Sequence, residues 1–158
     1  MNKITTYHLN LAGEYRVCSE LHKRNIFGTI TYGQRKGTDI FAIGSDNRTI
    51  RIEVKASQNS RFVTSITQKK LDGASDAPDV WVLFSLRSLA DNEYEERFFV
   101  LTHPEICAIQ KARNDAYGKK YRKKHGRAVD FSKGVDNITI SDVEQHENAW
   151  DKIVDALA

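Results

Sequence analysis

Asp39, Glu53 and Lys55 are the residues of this chain whose types and spacing could act together on a substrate. Cleaving a phosphodiester requires that a proton leave the attacking water, that the departing oxygen be neutralised, and that the charge building on phosphorus be stabilised. Magnesium, or manganese in its place, suits this chemistry. It takes oxygen ligands, usually one or two carboxylates, and keeps other positions for water and phosphate. Asp39 and Glu53 are suitable carboxylates. Lys55 adds a compact ammonium that can hold or help deprotonate the water and stabilise the developing charge. Held close without a counter-charge, two carboxylates repel and one pKa rises, whereas a divalent cation removes the repulsion.

The flanking residues supply a frame for these groups. Thr49–Ala56 (TIRIEVKA) alternates, with Ile50, Ile52, Val54 and Ala56 on one face and Arg51, Glu53 and Lys55 on the other. Glu53 and Lys55 therefore project from the same face, about 7 Å apart along the strand. Thr38–Ile43 (TDIFAI) reads as a partner strand, and Gly44–Arg48 (GSDNR) between them has hairpin-turn chemistry. Antiparallel pairing about that turn predicts partners whose numbers add to roughly 92–94, which sets Asp39 alongside Glu53 and Lys55.

Upstream, the pattern predicts a helix from about Leu9 to Asn25. At about 100° per residue, Val17, Leu21, Cys18, Leu11 and Tyr15 fall on one apolar arc, with Arg16, Glu20, Lys23 and Arg24 outside it. Glu14 falls inside the arc, where an acid needs either an ion pair with a Lys or Arg or a role in a site. Phe27–Tyr32 (FGTITY) is a further strand. Gly33–Gly37 (GQRKG) is a loop whose Arg35 and Lys36 either contact a phosphate beside the scissile bond or face solvent.

Downstream, Arg61–Thr64 reads as extended and Ile66–Ser75 as a weak helix interrupted late by Gly73. Asp79–Leu86 (DVWVLFSL) has the near-continuous apolar pattern of a strand buried on both faces, and Glu96–Leu101 (ERFFVL) is another. Pro104 stands near the first turn of a helix expected to run to about Tyr117. The basic stretch Gly118–Arg127 has little to bury and is expected to be mobile. A last helix is expected over Ser141–Leu157, capped by Ser141 and burying Val143, Trp150, Ile153 and Leu157. The order implies one α/β domain over residues 1–158, a mixed β-sheet flanked by helices.

The pattern of Asp39, a short strand and turn, then Glu53-Val54-Lys55 resembles the catalytic motif of the PD-(D/E)XK nuclease superfamily, which includes restriction endonucleases, Holliday junction resolvases and repair nucleases. The match spans about Leu9–Ser75, and Thr38 stands where the family name has Pro. A Glu-x-Lys tripeptide alone also describes an ordinary salt bridge on a strand. The resemblance implies a restriction endonuclease-like fold with an αβββαβ core and a magnesium-dependent endonuclease acting on DNA through a metal-activated water. It implies Asp39, Glu53 and Lys55 as catalytic residues. It implies Glu14, Asp39, Glu53 and the Val54 carbonyl as metal ligands, Gln68 as a substrate contact, and a homodimer that cuts two strands. A catalytically inactive nucleic-acid-binding module of the same fold is the alternative.

Composition sets the outer bounds. Hydrophobic residues make up 40% and charged residues 28%, the balance of a folded globular protein rather than a disordered one. No apolar run is long enough for a bilayer or a signal peptide, so a cytoplasmic protein without membrane partners is expected. The net charge of +3 is small but unevenly placed. Lys111–Arg127 holds eight Lys or Arg against the single acid Asp115, and residues 134–158 hold six acids against Lys152 alone. Within the basic segment Lys119, Lys120, Arg122, Lys123 and Lys124, interleaved with Tyr117 and Tyr121, suit contacts to a phosphate backbone. Cys18, Cys107 and the five histidines lack ligand spacing, so no zinc site and no organic cofactor are expected.

Overall fold

The alternation in TIRIEVKA produces the central strand of the molecule. A computed structural model describes residues 4–31, 37–90 and 93–158. Its main sheet has five strands in the order β1-β2-β3-β5-β6, formed by β1 (Phe27–Ile30), β2 (Ile40–Ile43), β3 (Thr49–Ser57), β5 (Val80–Ala90) and β6 (Glu93–Thr102). β3 runs parallel to β5, and the other pairs are antiparallel. In the β2–β3 hairpin Ile40 pairs with Ile52 and Ile43 with Thr49, at the lower end of the expected register. Asn47 closes the turn in the left-handed region at φ 66°, and the Asp46 side chain accepts the Arg48 N–H at 3.0 Å.

Two layers cover the two faces of this sheet. On one face, α1 (Thr6–His22) buries Leu9, Gly13, Val17 and Leu21, four residues apart, against Ile52, Val54, Val82 and Phe84. The other face carries Trp81, Leu83, Phe99 and Leu101, packed against Phe62, Ile66, Leu71, Ile106, Ile138 and Val143. Alternate residues of β5 thus enter two separate cores, which is why its sequence reads as a continuous apolar run. A small second sheet pairs β4 (Arg61–Val63) with β7 (Asn137–Thr139), and β7 has no counterpart in the sequence reading.

Several expectations are corrected. The buried stripe of α1 passes through Leu9 and Gly13, so Tyr15 is exposed and Glu14 stands at the rim of the arc rather than its middle. Ile66–Ser75 forms successive turns instead of a helix, with Ser65, Lys70 and Gly73 all at positive φ. The basic stretch is ordered: α2 runs from His103 to His125. The rings of Tyr117, Tyr121 and His125 stack along it at 6.0 and 4.4 Å, Tyr117 also meets Phe131, and Gly126 ends it in the left-handed conformation. The C-terminal helix is broken into α3 (Ile140–Val143), a 3-10 turn over Glu144–His146, and α4 (Asp151–Leu157). Thr139, not Ser141, is its cap, exchanging bonds with Asp142, and the break falls where the Asn148 N–H turns to the Phe98 carbonyl on the β6 edge. Val143, Trp150, Ile153 and Leu157 are buried as expected. Tyr32, Arg35 and Lys36 lie outside the described residues.

Gly13 sets how closely α1 approaches β3. A Cβ there would meet Phe84 Cδ1 at 3.1 Å and Ala56 Cβ at 3.2 Å. Gly13→Val is expected to cost about 1–3 kcal/mol by overpacking, read as a fall of several degrees in Tm. An unchanged thermal melt would show that the helix has room to move away.

Candidate active site

The end of β2 and the middle of β3 bring Asp39 and the Glu53–Lys55 pair together. Asp39 lies one residue before β2, and its N–H reaches the Ile52 carbonyl at 2.9 Å. Its Oδ2 accepts the Val54 N–H at 2.7 Å. β2 ends before it can pair with Val54, so the carboxylate takes the place of a further strand residue. Because the N–H and C=O of one strand residue point to the same side, the Val54 carbonyl is also directed towards Asp39.

Glu53 is 4% exposed, yet one of its oxygens has no hydrogen-bond partner. Oε1 is paired with the Lys55 ammonium, while Oε2 is buried and unsatisfied. A buried acceptor left in that state costs about 1–3 kcal/mol, and more when it is charged. The Lys55 ammonium also lies 5.9 Å from the centroid of the Trp81 ring, so it is held between a carboxylate and an aromatic face. Trp81 is itself fixed. Its Nε1–H donates to His103 Nδ1 at 3.0 Å, which leaves His103 Nε2–H to donate to the Leu71 carbonyl at 3.0 Å.

The electrostatics join Glu14 to this group. Partial burial, reinforced by the negative charges of Asp39 and Glu53 and opposed by Lys55, pushes the Glu14 carboxyl from an ordinary 4.5 up to about 7. Asp39 is also raised, first by burial and then by Glu53, against the Val54 N–H and the charges of Lys55 and Lys69. Among the described residues no ion pair involves Glu14. Also among them, no three His, Cys, Asp or Glu side chains gather closely enough to hold a metal ion. A cation here would rest on fewer than three such side chains, which is the ordinary provision for magnesium. The bare Glu53 Oε2 is the atom that fits one.

Other expected contacts are placed elsewhere. Gln68 Nε2 donates to the Phe131 carbonyl at 2.9 Å and its Oε1 accepts the Asp136 N–H at 3.3 Å, so its amide is committed to a neighbouring loop. Lys119, Lys120, Arg122, Lys123 and Lys124 are all exposed on the far half of α2. Cys18 and Cys107 are half-buried free thiols, both raised in pKa chiefly by burial. Sequence reading missed Trp81, Lys69 and His103, because only the β3–β5 register and the packing of α2 bring them near the acids.

A mixed α/β sheet flanked by helices, with this strand order, is the architecture of a restriction-endonuclease-like core. Among solved structures, the chain is similar to a bacterial homing endonuclease, I-Ssp6803I, with a TM-score of 0.51 over 97% of this chain and 94% of that one. The two are 12% identical, so the likeness is one of fold alone. No family model matches the chain, and no curated protein matches it. Among the described residues no helix is long and apolar enough to cross a membrane.

The raised pKa of Glu14 has a sign that can be tested. The folded protein binds this proton more tightly than the unfolded chain, so the associated stability is full below about 4.5 and lost as pH rises through about 7. Without divalent cations, Glu14→Gln is expected to melt about 2–4 °C above the parent at pH 8, the gap narrowing towards pH 5. A variant that melts below the parent at pH 8 would remove the repulsion from this account.

Proposed function

We propose that the chain, working as one domain, is a magnesium-dependent endonuclease that hydrolyses DNA phosphodiester bonds. The observation that carries this reading is the buried, unpartnered Glu53 Oε2 beside Lys55 and facing the Asp39 end of the hairpin. An arrangement made for stability alone would satisfy both oxygens or leave the acid at the surface. Asp39 and Glu53 would hold the cation, and the Val54 carbonyl is available as a further oxygen. Magnesium, when bound, supplies Lewis acidity that lowers the pKa of an attacking water and neutralises the leaving oxygen.

The chain's own groups do the rest. The Lys55 ammonium, steadied by Glu53 and Trp81, stabilises negative charge developing on the phosphoryl oxygens. Glu14, with its carboxyl near neutrality, takes a proton or completes the hydration of the cation. α2 carries its basic end away from His103, which touches Trp81 beside the site. Lys119–Lys124 therefore lie about 25–30 Å along the helix from that point. Phosphates bound there belong to DNA flanking the cut, and they act on affinity rather than on turnover.

Purified protein is expected to nick supercoiled plasmid in magnesium or manganese. Asp39→Ala and Lys55→Ala are each expected to lower kcat by roughly a hundredfold or more. Cleavage that survives in both variants contradicts the proposed chemistry. Salt-sensitive binding with no cleavage by the parent would instead identify an inactive binding module.

A further inference from the structure

A buried polar network holds the turns after β4 in an unfavourable conformation. Ser65 and Lys70 adopt φ of 55° and 52°, left-handed values that persist in such residues only where the surroundings enforce them. Asp136, 3% exposed, accepts the Thr67 N–H at 2.6 Å and an Asn114 amide hydrogen at 3.1 Å, and its carbonyl takes the Thr64 N–H at 3.1 Å. Asn114 also reaches Thr67 Oγ1 at 3.2 Å, and the buried Thr64 hydroxyl donates to the buried Gln110 at 2.7 Å. So much polar burial around one irregular segment stabilises its placement rather than a regular element.

The placement concerns the acid site. Ile66 and Leu71, near the ends of the segment, are buried with Trp81 and Leu83, the register partners of Glu53 and Lys55 on β5. The segment therefore packs on the sheet face from which Glu53 and Lys55 project. Lys69 is exposed on it, and its charge is felt at Asp39. In a helix over Ile66–Ser75 the Thr67 N–H, Gln68 amide and Lys69 would follow a different course, and the network would lose its partners.

We propose that Lys69 is a second substrate-binding cation of this site, contacting a DNA phosphate next to the attacked one, and that Asp136 and Asn114 are positioning residues acting through the turn they clamp. This rests on the nuclease reading. It assigns the sequence position after Gln68 the contact with DNA and gives Gln68 a place in the clamp.

Binding of a short DNA duplex is measured against salt concentration, with magnesium present, in the Lys55→Ala background that removes turnover. Adding Lys69→Gln is expected to reduce the slope of log K against log salt by about 0.9, the loss of one phosphate contact. Lys23→Gln, which removes an equal charge paired with Glu20, is expected to leave the slope unchanged. Asn114→Ala is expected to reduce the slope when Lys69 is present and to add nothing when it is absent, a non-additivity that a merely structural role would not produce. In the otherwise native protein, Lys69→Gln is expected to lower kcat/KM by roughly tenfold or more. A folded Lys69→Gln protein with the parent slope and parent kcat/KM overturns the inference, even if Lys55→Ala abolishes cleavage and the nuclease reading stands. A parent that neither binds nor cuts DNA overturns both.

Discussion

A carboxylate taken out of water needs a partner for each oxygen, and Glu53 has one for only Oε1. The rest of the site depends on that constraint. Lys55 neutralises one side of the group, and Trp81, locked through His103 to the Leu71 carbonyl, keeps Lys55 from swinging away. Asp39 has spent one oxygen on the Val54 N–H and is pushed up in pKa by burial and by Glu53. Glu14 is pushed up to about 7 for the same reasons. Three acids disfavoured as anions around one unsatisfied oxygen describe a place designed for added positive charge.

The fold makes that concentration of charge tolerable by spreading the stabilising burial over both faces of the sheet. The alternating residues of β5 anchor two cores, so the end of β3 is held rigidly while its polar side chains remain reachable. Gly13 lets α1 lie close on Ala56 and Phe84, which brings the next residue, Glu14, within reach of the acids. On the other face, the α2 start and the β4–β7 pair carry the buried network that shapes the segment around Lys69. Packing thus determines which charges meet.

The legible parts of the sequence were those governed by local rules. A short polar turn fixes a hairpin's register, and so the meeting of Asp39 with Glu53 and Val54 followed from numbering alone. Glu14 was visible as an acid on an apolar arc, although Gly13 carries no side chain and so hides its own burial, which displaced the reading of the arc towards Tyr15. Segments decided by distant partners were not legible. Ile66–Ser75 has weak helical character that Asp136 and Asn114 override from far along the chain. The final helix is interrupted because Asn148 bonds to the edge of β6. The order of the basic half of α2 comes from stacked rings and a glycine cap, whose effect a count of apolar residues misses. Trp81 and His103 needed the parallel β3–β5 register before either could be connected with Lys55.

The most direct measurement is anomalous scattering from a crystal of the protein soaked in manganese. The account predicts one ion peak bound to Glu53 Oε2 and to the Asp39 carboxylate, at about 2.1 Å as for a small divalent cation. A fully occupied lattice with no peak at these oxygens, or with manganese bound only at other acids, would contradict it.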